Sequence, residues 1–131
     1  VAEIIKWDEK YSVGNTLLDS QHKKLIALIN ELHSAMKDGK GKEALQKVLD
    51  ELVLYTIEHF STEEQLMLKA SYPHYSEHKR QHEDLTRRAV SLQNSYRAGE
   101  TPLTLDVLKF LRDWLIVHIE GSDKKYRDML F

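Results

Sequence analysis

The chain has 131 residues and no cysteine. That absence excludes a disulfide framework, an iron–sulfur cluster held by the chain's own thiolates, and any zinc site built on cysteine. A metal bound here has to be held by imidazole and carboxylate. Glycine is scarce and its five residues are dispersed, so no glycine-rich loop is available to cradle phosphates. A Gly-x-Ser-x-Gly nucleophile elbow is missing as well. Apolar runs are short and interrupted by charge, which excludes a membrane-spanning helix. Neither sign of charge dominates: the formal net charge is −2, with Lys and Arg scattered among Asp and Glu, so there is no nucleic-acid footprint. The amino terminus lacks the basic start and apolar stretch of a secretory signal, and a cytoplasmic setting is the expectation.

What is present is helical periodicity. The length fits a single domain over 1–131 with a continuous core. Four amphipathic segments, roughly 16–37, 41–68, 73–97 and 103–120, are separated by turn signals, and no strand-like alternation competes with them. In the first segment Leu18, His22, Leu25, Ile29, Leu32 and Met36 form one stripe. Leu45, Val48, Leu52, Tyr55, His59, Glu63 and Leu66 form the second stripe. His78, His82, Leu85, Ala89, Leu92 and Tyr96 form the third, and Val107, Leu111, Trp114 and His118 the fourth. Thr16-x-x-Asp19 reads as a capping box, and Pro73 as a first-turn proline. Short connections make consecutive helices antiparallel. The expected fold is all-α: an antiparallel up-down-up-down four-helix bundle, with an N-terminal arm (1–14) and a tail (122–131) forming a short C-terminal helix.

Five of the seven histidines, one glutamate and one aspartate recur at intervals suited to metal ligation: His22, His59-x-x-x-Glu63, His78-x-x-x-His82, and His118-x-x-x-x-Asp123. Imidazole and carboxylate without thiolate suit iron, manganese, copper or zinc. In an antiparallel bundle, residues early in the first and third helices meet residues late in the second and fourth. These seven residues satisfy that condition. Residues four apart are offset by roughly 40° and about 6 Å along the axis, so each i,i+4 pair can point at neighbouring ions. The interval of five from His118 to Asp123 is awkward on a continuous helix; a left-handed Gly121 is expected to break it.

Taken singly, each residue has a plainer reading. A lone histidine on an apolar stripe is usually a hydrogen-bonded core residue, and His59 with Glu63 could simply be a stabilising i,i+4 pair. The joint pattern reverses this, because several stripes would each bury polar groups at one level without a partner, at a few kcal/mol per group. His33 stands about 16 Å along the axis from His22 and is left out of the cluster. His74 shares the ligand spacing with His78 but sits at the helix start, and is read as a rim residue or one that supports a ligand from behind. Glu64 points off the stripe and is read as a solvated charge. Trp114, Leu25, Phe60 and Ile119 flank the set and are core residues by default.

These residues resemble the hemerythrins, of the bacterial single-domain type. The resemblance runs through Trp7-x-x-x-Tyr11-Ser12-Val13-Gly14, Leu18-Asp19-Ser20-Gln21-His22, His59-Phe60-Ser61-Thr62-Glu63-Glu64, Tyr72-Pro73, His78-x-x-x-His82 and His118-Ile119-x-x-x-Asp123. It implies two iron ions with an oxo or hydroxo bridge. His78, His82 and His118 would hold one iron, His22 and His59 the other, and Glu63 and Asp123 would bridge them. Three histidines and three bridges fill six positions; two histidines and three bridges leave one open. The implied function is reversible dioxygen binding, end-on as hydroperoxide at the iron held by two histidines. The expected protein is a carrier rather than an enzyme, and a monomer, with Trp114, Leu25, Phe60 and Ile119 lining an apolar oxygen pocket. Two alternatives are an oxygen or redox sensor module, whose output would need a separate partner, and a di-iron oxidase or iron-storage protein. The oxidase is disfavoured, because ferritin-like sites carry Glu-x-x-His pairs and this chain has none; iron storage stays open.

Overall fold

Asn15 starts the first long helix. Its backbone is extended, and its side-chain oxygen accepts from Leu18 N at 3.0 Å, satisfying one of the donors that a helix start leaves unpaired. The N-cap is therefore Asn15 rather than Thr16, and the Thr16/Asp19 capping box expected from the sequence is replaced by this single cap. Asp19 instead reaches back to the arm, accepting from Val13 N at 2.8 Å and Ser12 Oγ at 2.5 Å. The computed structural model describes residues 4–100, 102–121 and 123–126. Its long helices are α1 (Thr16–Lys37), α2 (Lys42–Lys69), α3 (Tyr75–Arg97) and α4 (Leu105–Gly121), with 3₁₀ turns at Glu9–Tyr11 and Asp123–Tyr126. Met129 and Leu130 of the expected tail, and Thr101 and Ser122, lie outside the described residues. No helix among those described is long and apolar enough to cross a membrane.

Two boundaries depart from expectation. Pro73 lies in a turn closed by Tyr75 N donating to Tyr72 O, and the first helical carbonyl of α3 is that of His74. The helix therefore begins at Tyr75, with His74 exposed just before it. Gly121 is not left-handed: the positive-φ glycines are Gly14, Gly39 and Gly99, and α4 runs through Gly121 to its end. Asp123 is brought inward by starting a separate 3₁₀ turn. Lys124 Nζ, which donates to Lys10 O at 2.6 Å, ties that turn to the arm.

The helices run antiparallel. Between α2 and α3, Lys42 meets Arg97, Asp50 meets Gln93, and Glu64 meets His82. Between α3 and α4, Trp114 Nε1 donates to Leu85 O at 3.2 Å. Close packing joins α1 to α2, α2 to α3 and α1 to α4. A groove of about 610 Å³ runs between α3 and α4, bordered by Leu85, Phe110, Trp114, Val117 and His118. The main core takes Leu25, Ile29 and Leu32 from α1, Leu49, Leu52 and Phe60 from α2, and Leu108, Leu111 and Ile119 from α4. Leu66 is only half-buried; its neighbour Met67 is fully buried in a second cluster with Val13, Leu18 and Tyr72. Phe60 and Ile119 of the main core are the sequence neighbours of His59 and His118, two of the polar residues described below.

Asn30 fastens the arm to α1. Its Oδ1 accepts from Ile4 N and Ile5 N at 2.9 and 3.0 Å, and its Nδ2 donates to Ile5 O at 2.7 Å. Ile5 is 4 % exposed, so these backbone groups have little access to water. Asn30→Ala is expected to cost roughly 2–3 kcal/mol, the sum of a few buried hydrogen bonds at about 1 kcal/mol each. Urea unfolding of the metal-free chain checks this; a loss under 0.5 kcal/mol would show that the Asn30 hydrogen bonds contribute nothing to stability.

Candidate metal centre

Each helix brings its polar residues to one end of the bundle. His22 lies near the start of α1 and His78 and His82 near the start of α3, while His59, Glu63 and His118 lie late in α2 and α4. All of these, with Asp123, are at most 6 % exposed. The ring nitrogens Nε2 point inward at two carboxylates. Asp123 Oδ2 lies 3.1 Å from His22, while its Oδ1 lies 2.8 Å from His78 and 3.0 Å from His118. Glu63 Oε1 lies 2.8 Å from His59 and 3.6 Å from His82. The carboxylates thus stand between two groups of imidazoles.

Two overlapping sets result. Glu63, His78, His82, His118 and Asp123 form one, and His22, His59, Glu63 and Asp123 form the other; within each, ligand atoms lie within 4.8 Å of one another. Both carboxylates belong to both sets. The histidines divide three against two.

Electrostatics binds the cluster together at a cost in desolvation. Burial alone would depress His22 and His118, but Asp123 beside each holds them above the ordinary histidine value. Burial would likewise raise Asp123, yet His118, His22 and His78 hold it well below the carboxylate range. Glu63 is lowered too, with His59 and His82 overcoming burial and the repulsion of Asp123. Satisfaction remains incomplete. His22 Nε2, His59 Nε2, His82 Nε2, His118 Nε2 and both oxygens of Asp123 are buried without a hydrogen bond of good geometry. Unpaired buried groups of this kind are costly. A cation between nitrogen lone pairs and carboxylate oxygens satisfies both sides at once, so the donor set fits metal ions.

The outward nitrogens have partners that fix the tautomers. His59 Nδ1 lies 2.7 Å from Gln21 Oε1, and His82 Nδ1 lies 2.9 Å from Glu64 Oε2. Glu64 is therefore not a solvated charge. Its position one residue past Glu63 turns it away from the centre but into the α2–α3 interface, where His82 waits. Gln21 stands in the motif that ends at His22 but had no role assigned from the sequence; its place immediately before His22 was the available signal. Of the flanking residues, Leu25 and Ile119 are fully buried, Phe60 is 4 % and Trp114 7 % exposed. Phe60 stacks face to face on His82, with centroids 3.9 Å apart and planes 6° from parallel, and sets an edge against His118. His74 is exposed and packs edge-on against Tyr72, while His33 is half-buried. Neither joins the two sets.

Comparison with known proteins agrees with this arrangement. Residues 13–130 match the family model described as the hemerythrin HHE cation binding domain. The chain is 35 % identical over 127 residues to a bacteriohemerythrin of Stenotrophomonas maltophilia, covering 97 % of this chain and 82 % of that one. It is 36 % identical over 124 residues to a hemerythrin-like protein of Naegleria gruberi, covering 95 % and 92 %. A crystal structure of wild-type hemerythrin superposes with a TM-score of 0.91 at 33 % identity, covering 97 % of this chain and 98 % of that one. The chain, a four-helix bundle with buried histidines and carboxylates gathered at one end, belongs to the hemerythrin family.

Proposed function

We propose that this chain binds dioxygen reversibly at a pair of iron ions, acting as a carrier or store rather than an enzyme. The observation that supports it best is the three-to-two division of histidines around two shared carboxylates. In this reading His78, His82 and His118 would hold one ion and His22 and His59 the other, with Glu63 and Asp123 shared between them. When bound, two ferrous ions supply the two electrons by which dioxygen is taken up and released. The side with two histidines would offer one ligand fewer, leaving a position for a small molecule.

The rest of the task falls to the chain's own residues. Gln21 and Glu64 keep His59 and His82 protonated at Nδ1, leaving Nε2 free to ligate. Leu25, Phe60 and Ile119 present apolar surface beside the ligands, which keeps water and anions from competing and offers no acid to drive O–O cleavage. The histidine-rich set also separates the site from the carboxylate-rich centres of ferritin-like oxidases.

Iron content combined with visible spectra through repeated oxygenation and deoxygenation tests the proposal. Two irons per chain and a charge-transfer band that comes and goes with oxygen are expected; a single irreversible oxidation would refute carrier function. His118→Ala offers a residue-level check, because His118 belongs to one set only. This variant is expected to keep its helical circular dichroism and to lose about one iron, with affinity at that position down by at least the roughly 10–100-fold typical of disturbing a metal ligand's surroundings. An unchanged di-iron spectrum would remove His118 from the site.

A further inference from the structure

The imidazoles on the two sides of the centre are backed by groups of different charge. Gln21 Nε2 donates to Thr62 Oγ1 at 3.4 Å, and that hydroxyl donates to Glu58 O at 3.1 Å. The amide oxygen is thereby left to accept from His59 Nδ1, so a neutral dipole backs His59. The other member of that side, His22, has a buried Nδ1 with no hydrogen-bond partner. Across the centre, His82 Nδ1 donates to a carboxylate, Glu64 Oε2. Glu64 is 21 % exposed and the His82 side chain 2 %, so the carboxylate keeps contact with water along the α2–α3 groove while the ring it backs does not.

A hydrogen bond to an ionised acceptor is roughly twice as strong as one between neutral groups. It pulls the Nδ1 proton outward and pushes electron density onto Nε2, which makes the ring a stronger donor to a metal. A stronger donor favours the more highly charged ion. We propose that Glu64 is a positioning residue that also biases the pair: it stabilises ferric iron at the His78/His82/His118 position relative to the His22/His59 position, where Gln21 supplies no charge. The inference rests on the di-iron reading above. No bond is made or broken by Glu64 itself; the electron removed from the ion passes to the oxidant used in the measurement.

The test is an anaerobic redox titration of the full iron-loaded chain, followed by its visible spectrum, after wild type has been shown to hold two irons. Two one-electron steps are expected, the lower-potential one belonging to the position backed by Glu64. Glu64→Gln keeps the length and the hydrogen bond but removes the charge. It should lower the ferric-over-ferrous preference there about tenfold, which raises the lower step by about 59 mV and leaves the upper step in place. Gln21→Glu should lower the upper step by a similar amount. Both variants therefore narrow the separation, each from a different side, and a purely structural role for Glu64 would not give this pattern. Should Glu64→Gln fail to load iron, Gln21→Glu still decides, by narrowing or not. An unchanged separation, or both steps moving together, overturns the inference while leaving the di-iron reading intact. A wild-type chain without two irons overturns that reading instead.

Discussion

Asp123→Ala should empty both metal positions, taking iron content from two ions per chain to well below one. The Asp123 carboxylate stands within 3.1 Å of three imidazoles. Its Oδ2 stands at His22 and its Oδ1 at His78 and His118, and it shares membership of both ligand sets only with Glu63. It is also fully buried, so its removal leaves several buried imidazoles facing one another with Glu63 as the remaining carboxylate. Bringing one metal ion back to such a site means leaving its charge poorly compensated. The contrast with His118→Ala is the informative part: one substitution should cost one iron, the other both. Iron analysis after gel filtration, with circular dichroism to show that the helices persist, distinguishes these outcomes. Full loading of the Asp123 variant would show that the 3₁₀ turn carrying it is not part of the centre.

Phe60→Ala is expected to destabilise the metal-free chain by roughly 3–5 kcal/mol, the usual range for removing a buried aromatic ring. The ring is 4 % exposed and lies against His82, His118, His59 and Trp114. Its loss removes packing from both ligand sets at once. The cavity would border polar groups, and a polar cavity of that size admits water. In the loaded protein the oxygenated band should therefore fade irreversibly faster than in wild type, with Phe60→Leu falling between. Denaturant unfolding measures the first effect and the decay of the band measures the second. A stability loss under 1 kcal/mol together with unchanged decay would remove Phe60 from the protective role.

The seven clustered residues were legible in the sequence because helical periodicity determines both face and height. His78 and His82 share a face by spacing alone, and short turns imply that they meet His59 and His118 from the opposite direction. What could not be read was how each helix is rotated against its neighbours. Glu64 is about 100° around α2 from Glu63, and only the position of α3 decides whether that direction is solvent or His82. Met67 replacing Leu66 in the core is the same kind of case, a rotation of one residue. The chain ends of helices were the other weak point. Asp19 is drawn away from the expected capping box by the arm's Val13 and Ser12, a contact between segments that no local pattern encodes. Asp123 was placed correctly at the cluster but by the wrong device, since a separate 3₁₀ turn does what a left-handed Gly121 was expected to do.

Anomalous diffraction at the iron edge, from crystals of the loaded chain, tests the central claim most directly. Two separate peaks are expected at the end of the bundle where α1 and α3 start and α2 and α4 finish. One should be bonded to His78, His82 and His118, the other to His22 and His59, with Glu63 and Asp123 touching both. A single peak, or two peaks with the histidines divided in any other way, would contradict it.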